Sequence, residues 1–145
     1  MSDIVWAINP KRESVADLVR RMRQHADEVF TLRDIDLRFT AEGAHDSSRL
    51  GVDVRRDLLL TFKEAVNNAA RHAKCSRVSI DLRRDGSHLL LSVKDDGVGF
   101  DTSRESQGQG LASLRRRAER LKGTFAVQSG PGAGTTVTLR VPLSN

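Results

Sequence analysis

The second half of the chain holds two pairs of alternating runs, each pair closed by a glycine-bearing turn, and these commit it to a sheet of antiparallel neighbours. Arg77 to Arg83 and His88 to Lys94 flank Arg84-Asp85-Gly86-Ser87, while Thr124 to Ser129 and Thr135 to Leu143 flank Gly130-Pro-Gly-Ala-Gly134. Apolar residues at every second position mark a strand with one buried face, and glycine in a short connection is hairpin chemistry. Ile35 to Thr40 alternates in the same way and predicts a fifth strand. A sheet with one apolar face needs a cover, and three helical patterns supply it. Val15, Leu18, Val19, Met22, Ala26, Val29 and Phe30 recur at helical spacing between Ser14 and about Leu32, with Pro10 and Ser14 as lead-in and cap. Asp53 to about Ala73 carries a broader stripe, and a third pattern runs from about Leu111 to Leu121 with Gly123 past its end. The order α, β, α, β, β, α, β, β predicts an α+β fold: a two-layer sandwich of about three helices on a mixed, mostly antiparallel five-stranded sheet.

Within that frame, Glu64-Ala-Val-Asn-Asn68 and Asp95-Asp-Gly-Val-Gly99 are the stretches that carry chemistry. Glu64 and Asn68 stand at i and i+4 on the long helix and so share a face, where an unpaired polar group would be costly to bury. A carboxylate and a side-chain carbonyl one turn apart suit a magnesium ion that keeps waters and bridges to phosphate; a solvated helix flank is the competing reading. Asp95 closes an apolar strand and precedes two glycines one residue apart, which let backbone approach a flat ligand. Asp-Gly is also ordinary turn chemistry, so this stretch alone decides little. Gly108-Gln-Gly110-Leu111 then opens a helix whose first amides and dipole favour an anion such as a triphosphate. Neither a dinucleotide fingerprint nor a Walker sequence is present. Arg71 and His72, ending the long helix, are candidates for meeting phosphate charge.

Composition narrows the partners. The 145 residues bear a formal charge of +5 from 24 basic residues, several clustered at Arg20-Arg21, Arg55-Arg56, Arg83-Arg84 and Arg115-Arg-Arg117, which suits an anionic partner. Aromatics are only 4% with no tyrosine, and no basic stretch interleaves with stacking residues, which argues against nucleic acid. Cys75 is the single cysteine, so neither an internal disulfide nor a thiolate metal site is open to it, and no histidine is spaced with another for metal binding. With no long apolar run and no signal-like start, a cytoplasmic location without direct membrane contact is expected.

Taken together, Glu64 to His72, Asp95 to Gly99, Gly108 to Leu111 and Gly134-Thr135-Thr136 resemble, in order and spacing, the N, G1 and G2 boxes and closing threonine of the GHKL superfamily. The wording Glu-Ala-Val-Asn-Asn-Ala-Ala-Arg-His-Ala and Gly-Gln-Gly-Leu-Ala-Ser-Leu-Arg-Arg-Arg-Ala is most similar to bacterial two-component sensor histidine kinases of the short-lid, nitrate-sensor type. The match runs from about residue 35 to the end. The resemblance implies a Bergerat-type ATP-binding fold with ATP and Mg2+ as ligands. It implies that Asp95 accepts the adenine amine, with Thr135 assisting through water and Gly97 and Gly99 letting the base approach. It gives the metal to Asn68, the orienting acid to Glu64, and the phosphates to Gly108, Gly110, Leu111 and neighbouring amides, helped by Arg71 and His72.

It further implies two parts, residues 1–33 as the stub and helix that follow a phosphoacceptor and dimerisation module, and residues 34–145 as the catalytic domain. The acceptor histidine would lie outside this chain, in that module, with a response regulator downstream. Only about eight residues separate Gly99 from Gly108, so any lid over the nucleotide, read as the polar mobile loop Thr102 to Gln109, is short. Anti-sigma-like serine kinases of the same superfamily, or a module holding nucleotide only as a structural ligand, are the alternative.

Overall fold

The computed structural model describes residues 15–42, 52–72, 74–99 and 109–142. The elements follow the expected order: α1 (Val15–Leu32), β1 (Asp36–Glu42), α2 (Val52–His72), β2 (Arg77–Asp85), β3 (His88–Asp95), α3 (Gln109–Arg120), β4 (Thr124–Ser129) and β5 (Thr135–Pro142). The five strands form one sheet in the order β1-β2-β3-β5-β4. Both hairpins pair as their alternation requires, β2 with β3 and β4 with β5, and β3 joins β5 antiparallel. Only β1 and β2 run parallel. A parallel pair needs a long crossover, and α2 with its 21 residues provides it.

One face of the sheet is buried under the helices. Val78, Ile80 and Leu82 of β2, Leu89, Leu91 and Val93 of β3, and Leu139 and Val141 of β5 meet Leu58, Phe62, Ala65, Val66 and Ala69 of α2 and Leu114 and Ala118 of α3 in one core. Val15, Leu18, Val19, Met22, Ala26 and Phe30 of α1 join that same core, across a turn at the boundary expected near residue 34. Burial on this scale, at about 25 cal/mol per Å² of apolar surface, makes the core the main stabilising term.

Sequence and structure differ at element ends. The first strand begins one residue later than expected and continues through Ala41 and Glu42, which composition assigns to a loop; pairing with Leu82 and Arg83 outweighs their weak strand preference. The first hairpin turn tightens to Gly86-Ser87, with Arg84 and Asp85 still in the ladder. Pro10, Ser14, the loop at 43–51 and the lid at 102–108 lie outside the described residues.

Candidate functional site

Asp95 and Asp96 are neighbours with opposite environments. Alternation along β3 turns Asp95 to the helix side with Leu89, Leu91 and Val93, and it is 6% exposed. Its Oδ1 accepts a hydrogen bond from the Gly97 amide at 2.9 Å. Burial pushes its carboxyl above the ordinary range, hydrogen bonding from the backbone of Gly97 and Thr135 pulls back, and the nearby Asp96 charge pushes up again. Asp96 faces outward. Its Oδ1 accepts from the amides of Ser76 and Arg77, each at 2.9 Å, and its Oδ2 from the Ser76 hydroxyl at 3.0 Å. These bonds, first those from Arg77 and Ser76, hold its carboxyl below the ordinary range. Asp96 is therefore a staple that closes the start of β2 onto the end of β3. Asp95 is the carboxylate presented to the helix layer.

The backbone beside Asp95 is shaped by close approach. Gly99 has φ +67°, and a Cβ there would sit 2.0 Å from the Gly130 carbonyl oxygen. Gly134, at φ +73°, would place a Cβ 2.3 Å from the Asp95 carbonyl oxygen. No side chain fits at either point, so the β4–β5 turn lies directly on the Asp95–Gly99 loop, and the Gly132 amide bonds the Val98 carbonyl at 2.6 Å. Thr135 is the register partner of Asp95, and its hydroxyl lies 2.8 Å from that of Ser129. Ser129 also donates to the Gly134 carbonyl at 3.0 Å.

The other wall comes from α2. Glu64 is reached from α3: the Ser113 hydroxyl donates to its Oε1 at 3.1 Å and Arg117 Nε at 3.4 Å. Its Oε2 is buried with no hydrogen-bond partner among the described residues. Asn68, one turn on and half-buried, shares that flank, whereas Asn67 lines a groove with Val29, Leu32, Arg33, Ala70 and Arg71 between the ends of α1 and α2. Asn67 also lies near His25 and favours its protonated form. The helix thus divides the two asparagines, one to each side. Arg71 is exposed and belongs to the α1 flank. Gly110 and Leu111 stand in the first turn of α3, as an anion-binding helix start requires, and His72 closes α2. Gly108 lies outside the described residues. Cys75 links the walls: its Sγ is 3.9 Å from the Ala69 carbonyl, and burial first, then the charges of Asp95 and Asp96, push its thiol up. Such a thiol is no nucleophile.

Sequence reasoning missed Ser113 and Arg117 as partners of Glu64, Ser129 as partner of Thr135, and Asp96 as staple. Ser113 and Arg117 were within reach of it, since they stand at i and i+4 beside the buried Leu114 and Ala118. The basic clusters also change meaning. Arg55 is fully buried and Arg117 is tied to Glu64, so neither belongs to an open anionic-partner surface.

The residues fit a magnesium nucleotide in their chemistry: a buried carboxylate beside a loop with no room for a side chain at Gly99 or Gly134, and on α2 an acid with one oxygen buried and unbonded, one turn from a carboxamide. Comparison with known proteins points the same way. Residues 53–145 match the family model described as "Histidine kinase-, DNA gyrase B-, and HSP90-like ATPase". The chain is 37% identical over 107 residues to an uncharacterized sensor-like histidine kinase of Chloroflexus aurantiacus, covering 69% of this chain and 18% of that one. It is 32% identical over 114 residues to the sensor protein VraS of Staphylococcus saprophyticus, covering 77% and 33%. The signal transduction histidine-protein kinase/phosphatase DegS of Bacillus subtilis is 28% identical over 114 residues, covering 76% and 30%. The chain thus spans a third or less of these relatives' length. In fold it is similar to the histidine kinase domain of the Erythrobacter litoralis EL346 blue-light activated histidine kinase, with TM-score 0.70 at 24% identity over 87% of this chain and 61% of that one. The histidine kinase AdeS of Acinetobacter baumannii gives TM-score 0.70 at 18% identity, covering 91% and 66%.

Proposed function

We propose a function for a chain that belongs to the family of histidine kinase-, DNA gyrase B-, and HSP90-like ATPases: it is the ATP-binding catalytic domain of a sensor histidine kinase in two-component signalling. The nucleotide, with Mg2+, supplies the γ-phosphoryl group for transfer to a histidine on a dimerisation helix outside this chain. The observation that carries the reading is Asp95, a buried carboxylate on the helix side of the sheet, set against the loop that Gly99 and Gly134 keep free of side chains.

Each residue has a proposed task. Asp95 accepts from the exocyclic amine of adenine, Thr135 holds a water beside it, and Gly97 admits the ring, while Gly99 lets the β4–β5 turn close on the loop. Asn68 offers its carbonyl to the metal. Glu64 orients the incoming group through Oε2. Gly108, Gly110 and Leu111 line the phosphates at the start of α3, with His72 contributing charge; Arg71, on the α1 flank with Asn67, stands away from them. Phosphoryl transfer is mostly positioning and charge stabilisation, and these are groups of that kind.

A dimerisation and phosphoacceptor module and a response regulator are the proposed partners, and the cytoplasm the proposed location; no helix among the described residues is long and apolar enough to cross a membrane. The test is a phosphotransfer assay with radiolabelled ATP, offering the chain a dimerisation module that bears an acceptor histidine and, separately, serine-bearing protein partners. Acid-labile, base-stable label on the histidine module is the expected result. Acid-stable label on serine would overturn it in favour of an anti-sigma-like kinase.

A further inference from the structure

Glu64 is held by two groups that come from a different helix and meet the same oxygen. Ser113 Oγ at 3.1 Å and Arg117 Nε at 3.4 Å both contact Oε1, and the buried Oε2 has no hydrogen-bond partner among the described residues. The two donors sit one turn apart on α3, so a single rigid helix face makes both bonds. The side chains of Arg117 and Glu64 are only 27% and 25% exposed, so water screens this pair less than it screens a surface ion pair.

We propose that Ser113 and Arg117 are positioning residues for Glu64: they fix its carboxylate through Oε1 and leave Oε2 as its single working oxygen. The proposal rests on the role given to Glu64 above. Two donors on one oxygen define the plane and rotamer of the carboxylate, and misplacement of a working group by about 1 Å costs on the order of a hundredfold in rate. The same arrangement ties the acid to the helix whose first turn carries Gly110 and Leu111. Seating α3 against α2 and setting the acid are then one event.

The pair is tested in the chain itself by nucleotide-analogue affinity and by ADP production at saturating magnesium-ATP, with and without an added acceptor-histidine module. Arg117→Met keeps the apolar stem and removes the donor, Ser113→Ala removes the hydroxyl, and Arg117→Lys keeps a cation. The expected result is a fall of about tenfold in kcat for Arg117→Met with KM and analogue Kd within about twofold of wild type, and substantial recovery in Arg117→Lys. In a Glu64→Gln background, Arg117→Met should add less than about twofold, because nothing remains to position. An unchanged kcat, a loss confined to affinity, or a full additional loss in the Glu64→Gln background would each overturn the proposal. If Arg117→Met melts below the assay temperature, Ser113→Ala decides by the same criteria. Glu64→Gln turning over as fast as wild type is a separate outcome: it removes the role of Glu64, and the positioning proposal with it, while analogue binding still reports on the pocket.

Discussion

Adjacent aspartates with opposite surroundings predict opposite phenotypes. In Asp95→Asn the one carboxamide oxygen is claimed by the Gly97 amide, which turns an NH2 toward the adenine amine. Replacing Asp96 by Asn halves the acceptors that tie Ser76 and Arg77 to the end of β3 and leaves the pocket carboxylate untouched. Asp96→Asn should therefore lower the melting temperature with nucleotide affinity unchanged, as scanning calorimetry paired with an analogue titration will show. The depressed Asp96 carboxyl contributes stability that is present above the ordinary aspartate value and lost as pH falls through its lower folded value. Gly99→Ala forces a Cβ against the Gly130 carbonyl at positive φ, and the backbone strain alone is worth about 1–2 kcal/mol. Urea unfolding should show at least that loss, with weaker analogue binding. The sequence revealed the aspartate and the glycines as a set; that Asp95 and not Asp96 faces the helices follows from strand phase. The contact of Gly99 with Gly130 joins loops thirty-one positions apart and has no local signature.

Among the elements, all three helices lead out through a non-glycine residue in the left-handed region: Asp34 (φ 61°), Lys74 (φ 50°) and Lys122 (φ 59°). After α1, the Ile35 amide returns to the Phe30 carbonyl at 2.9 Å, and after α3 the Gly123 amide returns to the Ala118 carbonyl at 2.9 Å, the closing bonds of a Schellman turn. Gly123 stands past the end of α3 as expected, and it is the preceding Lys122 that takes the left-handed conformation. Lys122→Gly should raise stability by up to about 1 kcal/mol in chemical denaturation, because relief of left-handed strain exceeds the added chain entropy. The helix and strand pattern was readable to within about two residues, because each element repeats its own period. The parallel pairing of β1 with β2 was not assignable strand by strand, since α2 sets it by carrying the chain back to the same end of the sheet.

At the scale of the whole molecule, α1, α2 and the sheet share one core, and His25 sits half-buried at its edge. Its ring meets Phe62 edge-on with centroids 6.5 Å apart, and Nε2 is buried without a hydrogen-bond partner among the described residues. Burial, then the charge of Lys63, lower its pKa from the ordinary 6.5, with Asn67 and Glu28 opposing. Below that ordinary value the unfolded chain binds a proton that the folded chain resists. Stability should therefore fall as pH drops from about 6.5 through the lowered folded value, and His25→Leu should flatten that slope in denaturation curves taken across the range.

The proposed nucleotide pocket draws on parts distant in sequence: the end of β3, the β4–β5 turn, one flank of α2 and the start of α3. Calorimetric titration with a non-hydrolysable ATP analogue, with and without magnesium, tests it most directly. Magnesium-strengthened binding is expected, weakened by at least about tenfold in Asp95→Asn, the worth of a hydrogen bond to a charged group, and retained without the magnesium effect in Asn68→Ala. Binding indifferent to Asp95→Asn, or no binding at millimolar analogue, would contradict it.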